Sequence, residues 1–395
     1  MSEMMRDPRK PKGRVFVLVT PNGPEDGGDF GPKTTGTRTS GIQEALDYAK
    51  ANRKDLYIAG GGLTEPFKGG VGYQLQETLT IPWNQNWRMD GGEYWLTYAG
   101  EEGDGVVIDS QMNCRIKLGV VVNARSPGAV VRISPTSKGP DSFSCVVASS
   151  FEFNALVGAG DVWGKPGAVQ KSTGLLMDAS SGGISANKVV IGEINACDLG
   201  VHLTQGCSGN DIEATWIHLT NLGMKIGDAG SPNASANAIK AGISGDLQGT
   251  RGVQIFGQRN LLTIRAHGNA PGQNVIFEEP ARENLIIAVE LAEGFTNNAK
   301  FPTNRIMPTR PGGYSVETPR FPASGKAAVN RHPYTILARI VRPGRVAGWV
   351  ETDADGNSEG SRGSLSAGQV FVLQPGDGIA FDYTQPPTWR WKAIG

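Results

Sequence analysis

Short apolar runs recur along the middle of the chain, each too brief for a helix and each set behind an asparagine. From about Thr173 to Glu290 they read Asn187-Lys-Val-Val-Ile, Asn210-Asp-Ile-Glu, Asn237-Ala-Ile, Asn260-Leu-Leu-Thr-Ile and Asn284-Leu-Ile-Ile, with steps of 23, 27, 23 and 24 residues between the asparagines. A second series runs out of phase with the first: Gly174-Leu-Leu-Met, Gly200-Val-His-Leu, Gly223-Met-Lys-Ile, Gly252-Val-Gln-Ile-Phe and Gln273-Asn-Val-Ile-Phe. Two interleaved strand series sharing one period are what a solenoid of short strands produces. The leucine-rich repeat frame is missing, and no helix-period segment lies between the strands. The pattern therefore predicts an all-β chain built on a parallel β-helix from 73 to 308, with Gly and Asn at corners that need φ > 0. Equivalent positions should stack coil on coil, so Val189, Ile212, Ile239, Leu262 and Ile286 are expected in one inward column.

Upstream, residues 28–72 read as a capping segment. Ser40 with Gln43 suggests a capping box, and Ile42, Ala45, Leu46 and Ala49 share one face of a helix. Downstream, 309–333 reads as a linker and 334–395 as a small antiparallel β module whose thin core favours association. Residues 1–27 form an N-terminal arm, basic at Arg6-Asp-Pro-Arg-Lys-Pro-Lys.

The order Gly28-Asp29-Phe30-Gly31, Ser40-Gly-Ile42-Gln43-Glu-Ala45-Leu46 and Leu56-Tyr57-Ile58-Ala59-Gly60-Gly61 is similar to the entry segment of the pectate-lyase-like superfamily, which includes phage tailspikes and many polysaccharide lyases and hydrolases. Phe30 and Gly31 replace the family's second glycine, and Ala59 stands where proline is usual. The resemblance implies a right-handed parallel β-helix. Together with the terminal β module, which resembles the trimerisation tips of tailspikes, it implies a homotrimer that binds cell-surface polysaccharide. The arm would then attach the protein to a virion.

Composition narrows the chemistry. Of 395 residues 55 are glycine, about twice the usual share, without the G-X-Y period of collagen. Lys plus Arg and Asp plus Glu both number 38, which argues against a nucleic-acid partner. No apolar run is long enough for a membrane span, and the N-terminus has no signal-peptide core, so a virion or extracellular setting is expected without a membrane partner. Cys114, Cys145, Cys197 and Cys207 form no C-x-x-C pair, and no metal or cofactor is implied. They read as free buried thiols, with a Cys197–Cys207 bridge as the pairing to check. Asp353-Ala-Asp355-Gly356-Asn357 starts like a calcium loop but lacks its later ligands, and reads as a hairpin turn.

The candidate catalytic pair is Asp211 and Glu213, two apart on one strand and so facing the same way, about 6.6 Å apart at Cα. That separation approaches what an inverting glycosidase pair needs. Trp216, His218 and Glu193 are the candidate substrate-binding residues, the indole offering a flat face to a sugar ring. Alignment of the repeats sets Lys188 beside Asp211 and Glu213 beside Lys240, which a plain ion-pair ladder also requires. The cations a lyase wants to neutralise a uronate, Lys188, Lys225, Lys240, Arg251, Arg259 and Arg265, are scattered. Three functions remain from this reading: a tailspike-like protein that binds and cleaves polysaccharide, an exported polysaccharide lyase or glycoside hydrolase, and a structural or adhesive β-helix without catalysis.

Overall fold

The computed structural model describes residues 15–60, 72–138, 144–159, 170–230, 232–291, 294–300, 303–308 and 316–394. Residues 1–14 of the expected arm and 309–315 of the expected linker lie outside them, while Phe16–Val19 of the arm is a strand. Three parallel sheets run side by side through most of the chain. The first has 13 strands, from Phe16–Val19 to Arg305–Pro308; the second has nine, from Leu79–Ile81 to Phe295–Asn297; the third has five short ones, from Asn84–Gln85 to Cys207–Ser208. Isolated bridges Ser208–Ser235, Ser235–Gln258 and Gln258–Arg282 extend the third sheet upward. Each turn of the chain visits the sheets and pairs in parallel with the turn before, which is a parallel β-helix. The first sheet begins before residue 73, since Phe16–Val19 and Asp55–Ile58 already belong to it.

Register follows the period. Phe151, Val189, Ile212, Ile239, Leu262, Ile286 and Ile306 are successive partners, all buried, so the expected inward column is present. Burying such side chains contributes about 1.5–3 kcal/mol each.

The recurring asparagines do more than tolerate a corner. Asn187, Asn210, Asn237, Asn260, Asn284 and Asn304 are buried and form a ladder. The Nδ2 of each donates to the Oδ1 of the next, at 3.0, 3.0, 3.0, 3.0 and 2.8 Å. Each Oδ1 also accepts the preceding asparagine's backbone N–H, as at Asn210 N to Asn237 Oδ1, 3.1 Å, and each Nδ2 reaches a backbone carbonyl, as at Asn237 to Cys207 O, 3.2 Å. All hydrogen-bonding capacity of an interior rung is thus used, which is what makes a buried amide stabilising. The left-handed residue stands one position earlier and is mostly not glycine: Ala186, Ala236, Arg259 and Glu283 have φ of 55–56°, and only Gly209 supplies a glycine at this corner. The glycines of the second series answer a different need. A Cβ on Gly200 would lie 2.4 Å from Gly223 O and 2.7 Å from Ile217 Cγ2, so coil-to-coil approach excludes a side chain there.

Among the described residues one α-helix, α1 (Ile42–Ala51), packs Ile42, Ala45, Leu46 and Ala49 onto the solenoid as expected. Its cap differs from the expected Ser40–Gln43 box. Gly41 takes φ 82° ahead of the first turn, which moves the capping role to Thr39, whose Oγ1 accepts from Gln43 N at 3.1 Å. Ser40 instead donates to Gln74 O, and the Gln43 amide pairs with both backbone groups of Thr80, tying the helix to the second sheet.

The C-terminal module consists of a four-stranded and a three-stranded antiparallel sheet. The described part of the expected linker belongs to it. Phe321 packs among Phe381, Tyr383 and Trp389, and Ala327–Val329 pairs with Gly378–Ala380. Residues 353–357 form the hairpin turn, with Asp353 accepting from Asn357 N at 2.8 Å. All four cysteines are free, so the Cys197–Cys207 bridge is not formed. The two thiols donate to Asn195 O and Met177 O, and burial pushes both up to about 12.

Candidate functional site

The strand Asp211–His218 carries the site at its far end. Its neighbours pair as Ala214–Ala241 and Ile217–Ile243, so one extra residue is accommodated between them. This bulge turns both Thr215 and Trp216 outward before Ile217 returns to the core. In the next coil Gly242 packs against this bulge, where a Cβ would fall 2.6 Å from Thr215 O. Trp216 is 47% exposed, which is unusual for so large an apolar side chain.

Two residues on, His218 points the same way, and its ring stacks on Trp216 with centroids 3.8 Å apart and planes within 5°. One indole face is therefore covered. Glu193 and Asn195 come from the previous coil, in register with Trp216 and His218 respectively. His218 Nε2 lies 2.9 Å from Glu193 Oε1, and Asn195 Nδ2 donates to the same oxygen at 2.5 Å. On the other side His218 Nδ1 faces Asp246 Oδ2 at 3.7 Å, and Ser244 Oγ donates to Asp246 Oδ1 at 2.7 Å. The imidazole thus stands between two carboxylates. The hydrogen bond from His218 holds the Glu193 carboxyl below the ordinary glutamate range, burial opposing it. Glu193 is a charged acceptor rather than a proton donor at neutral pH.

Three of the expected residues, Glu193, Trp216 and His218, are brought together. Asp211 and Glu213 lie at the other end of the strand, outside this set of contacts. Glu213 pairs with Lys240 at 2.7 Å, and that bond lowers its carboxyl. The expected register of Lys188 with Asp211 and Glu213 with Lys240 is present. Asp198, which with Glu193 makes a second acidic pair in the sequence, lies apart from it and accepts from Asn221 Nδ2 at 2.8 Å. Sequence reasoning missed Asn195 and Asp246. Continuing the repeat alignment eight residues past Asn187 and Asn210 pairs Asn195 with His218, so that signal was present; Asp246 follows its strand and has no periodic marker.

The second sheet holds another imidazole and carboxylate. His202 Nε2 is 3.0 Å from Asp228 Oδ1, which Lys225 Nζ approaches at 2.7 Å while lying 5.7 Å over the Phe256 ring. Burial pushes the His202 imidazole down, outweighing Asp228. Burial also works against charge on Asp228, but Lys225 and His202 keep it below the ordinary range. This cluster is internally neutralised and offers no open aromatic face. Among the described residues no group of acidic, Cys or His side chains is arranged to hold a metal ion.

Fold and site together define a parallel β-helix carrying a small antiparallel module and an exposed aromatic, carboxylate-flanked patch on its longest sheet. Among solved structures, the chain is similar to the enzymatically active domain of tailspike protein 2 from bacteriophage CBA120, at 11% identity and a TM-score of 0.37, over 92% of this chain and 75% of that one. The fold assignment comes from the register-matched parallel sheets, and no chemistry is taken from this likeness. No protein-family model and no curated protein matches the chain.

Proposed function

We propose that the protein is a tailspike-like, polysaccharide-binding β-helix, and that its glycan-contact surface is the outer face of the first sheet around Trp216. The observation that carries this reading is the half-exposed indole, stacked on His218 on one side and open on the other, with Glu193 and Asp246 at its flanks. A flat aromatic face suits the apolar face of a sugar ring, and ionised carboxylates suit its hydroxyls. The long regular face suits a chain-like ligand. Three copies joined through the C-terminal module would add avidity, and on a virion they would serve attachment to a cell surface.

The test is binding of the full chain to a panel of polysaccharides, with Trp216→Ala beside it. The variant should lose about 2 kcal/mol, roughly thirtyfold in affinity, with an unchanged β-sheet spectrum. Binding unaffected by the substitution would remove the surface from consideration. Light scattering reads the trimer separately.

Cleavage is the second reading, favoured by the two carboxylates on opposite sides of one imidazole. Assay of new reducing ends separates its two versions. Product lost in Glu193→Gln and Asp246→Asn but kept in Asp211→Asn and Glu213→Gln assigns the chemistry to the far end of the strand. The reverse pattern assigns it to Asp211 and Glu213, and no product from any glycan leaves binding as the whole function.

A further inference from the structure

Resting on the glycan reading above, we infer that the sugar seated on Trp216 carries a positive charge: the ligand is a glycan containing an amino sugar with a free ammonium group. The charges around the indole support this. Glu193 and Asp246 meet no Lys or Arg among the described residues; their partners are His218, Asn195 and Ser244. The nearby cations on the same sheet are already committed, Lys240 to Glu213 at 2.7 Å and Arg265 to Glu290 at 3.0 Å. The patch is therefore an aromatic face with two carboxylates and no free basic side chain.

An ammonium over the open indole face gains cation–π attraction and can donate to the Glu193 and Asp246 oxygens that the imidazole leaves unused. A uronate or other anionic sugar placed there would set its charge against both carboxylates, a juxtaposition that disfavours binding. A neutral sugar would stack but bring the two carboxylates no charge beyond the imidazole they share. The same arrangement that suits a cationic sugar thus discriminates against acidic glycans.

Three hexamers of similar length test this by calorimetry on the full chain: one of β-1,4-glucosamine, one of β-1,4-N-acetylglucosamine and one of galacturonate, at a pH that keeps the amine protonated. The glucosamine hexamer should bind about tenfold tighter than its acetylated counterpart, a difference that shrinks as salt is raised. The galacturonate hexamer should not bind. Glu193→Gln should bring the first two hexamers together while Trp216→Ala weakens both. Equal affinity for the two in the wild-type chain, with the Trp216 dependence kept, would overturn the ammonium inference and leave the glycan surface standing. Preferred binding of galacturonate would overturn it as well, and failure of all three to bind would count against both readings.

Discussion

Two columns of side chains climb the same solenoid and could hardly differ more. At the corner, asparagine follows asparagine through six coils, each amide closing on the next. On the outer face of the first sheet, the positions in register change from coil to coil: Ala155, Glu193 and Trp216 in one column, Val157, Asn195 and His218 in the next. Where every coil faces the same physical problem, an orphaned buried backbone group, it carries the same solution. Where a single coil carries Trp stacked on His, no coil-to-coil requirement explains it, and the proposed glycan contact would.

The contrast can be broken from either side. Asn237→Ala removes an interior rung and strands buried partners in both adjoining coils; chemical denaturation should show a loss of about 3 kcal/mol or more. If that variant unfolds like the parent, the ladder is not what holds the corner. Trp216→Ala should do the opposite, costing about 2 kcal/mol of glycan affinity and leaving the denaturation midpoint in place. A smaller effect separates the acidic residues. Glu193 ionises more readily folded than unfolded, so its contribution to stability is present above about pH 4 and is lost as pH falls through its depressed value. Thermal melts taken downward from that pH should fall more steeply for the parent than for Glu193→Gln; parallel curves would mean the His218 bond is not made in solution. Least of all should come from Lys240→Ala. Its ion pair with Glu213 is open to solvent, and the melting temperature should stay within experimental scatter.

A fixed period lets a sequence state its own neighbours, which is why Val189, Ile212, Ile239, Leu262 and Ile286 could be assigned to one column, and Lys188 and Lys240 set beside their acids, before any coordinates. Four strands of the C-terminal module, at Thr335–Arg342, Arg345–Thr352, Val370–Leu373 and Gly378–Gln385, were equally legible because alternation and turn residues are local signals. What escaped depends on geometry between coils or on backbone conformation. The expected Ser40 cap gives way to Thr39 because Gly41 adopts a left-handed conformation that the residue names alone do not reveal. Asp246 belongs to the site only because Ser244 and His218 orient it, and nothing in the repeat marks a residue beyond a strand's end. Glu193 and His218 are 25 residues apart, one coil, so their contact was within reach of the alignment. The same alignment sets Trp216 beside Glu193, whereas the shift of register toward the following coil has no mark in the repeat.

The spacing between ladder asparagines varies, 23, 27, 23, 24 and 20 residues, although the amide-to-amide distances hardly change. The ladder works as a clamp on register that is indifferent to how much chain travels between its teeth. Extra residues can leave at a turn and return without displacing the coils above or below. The 27-residue turn from Asn210 to Asn237 already does so, and its excursion around Gly227–Gly230, past the end of a second-sheet strand, marks the place where a foreign peptide could be spliced in and displayed without rebuilding the scaffold.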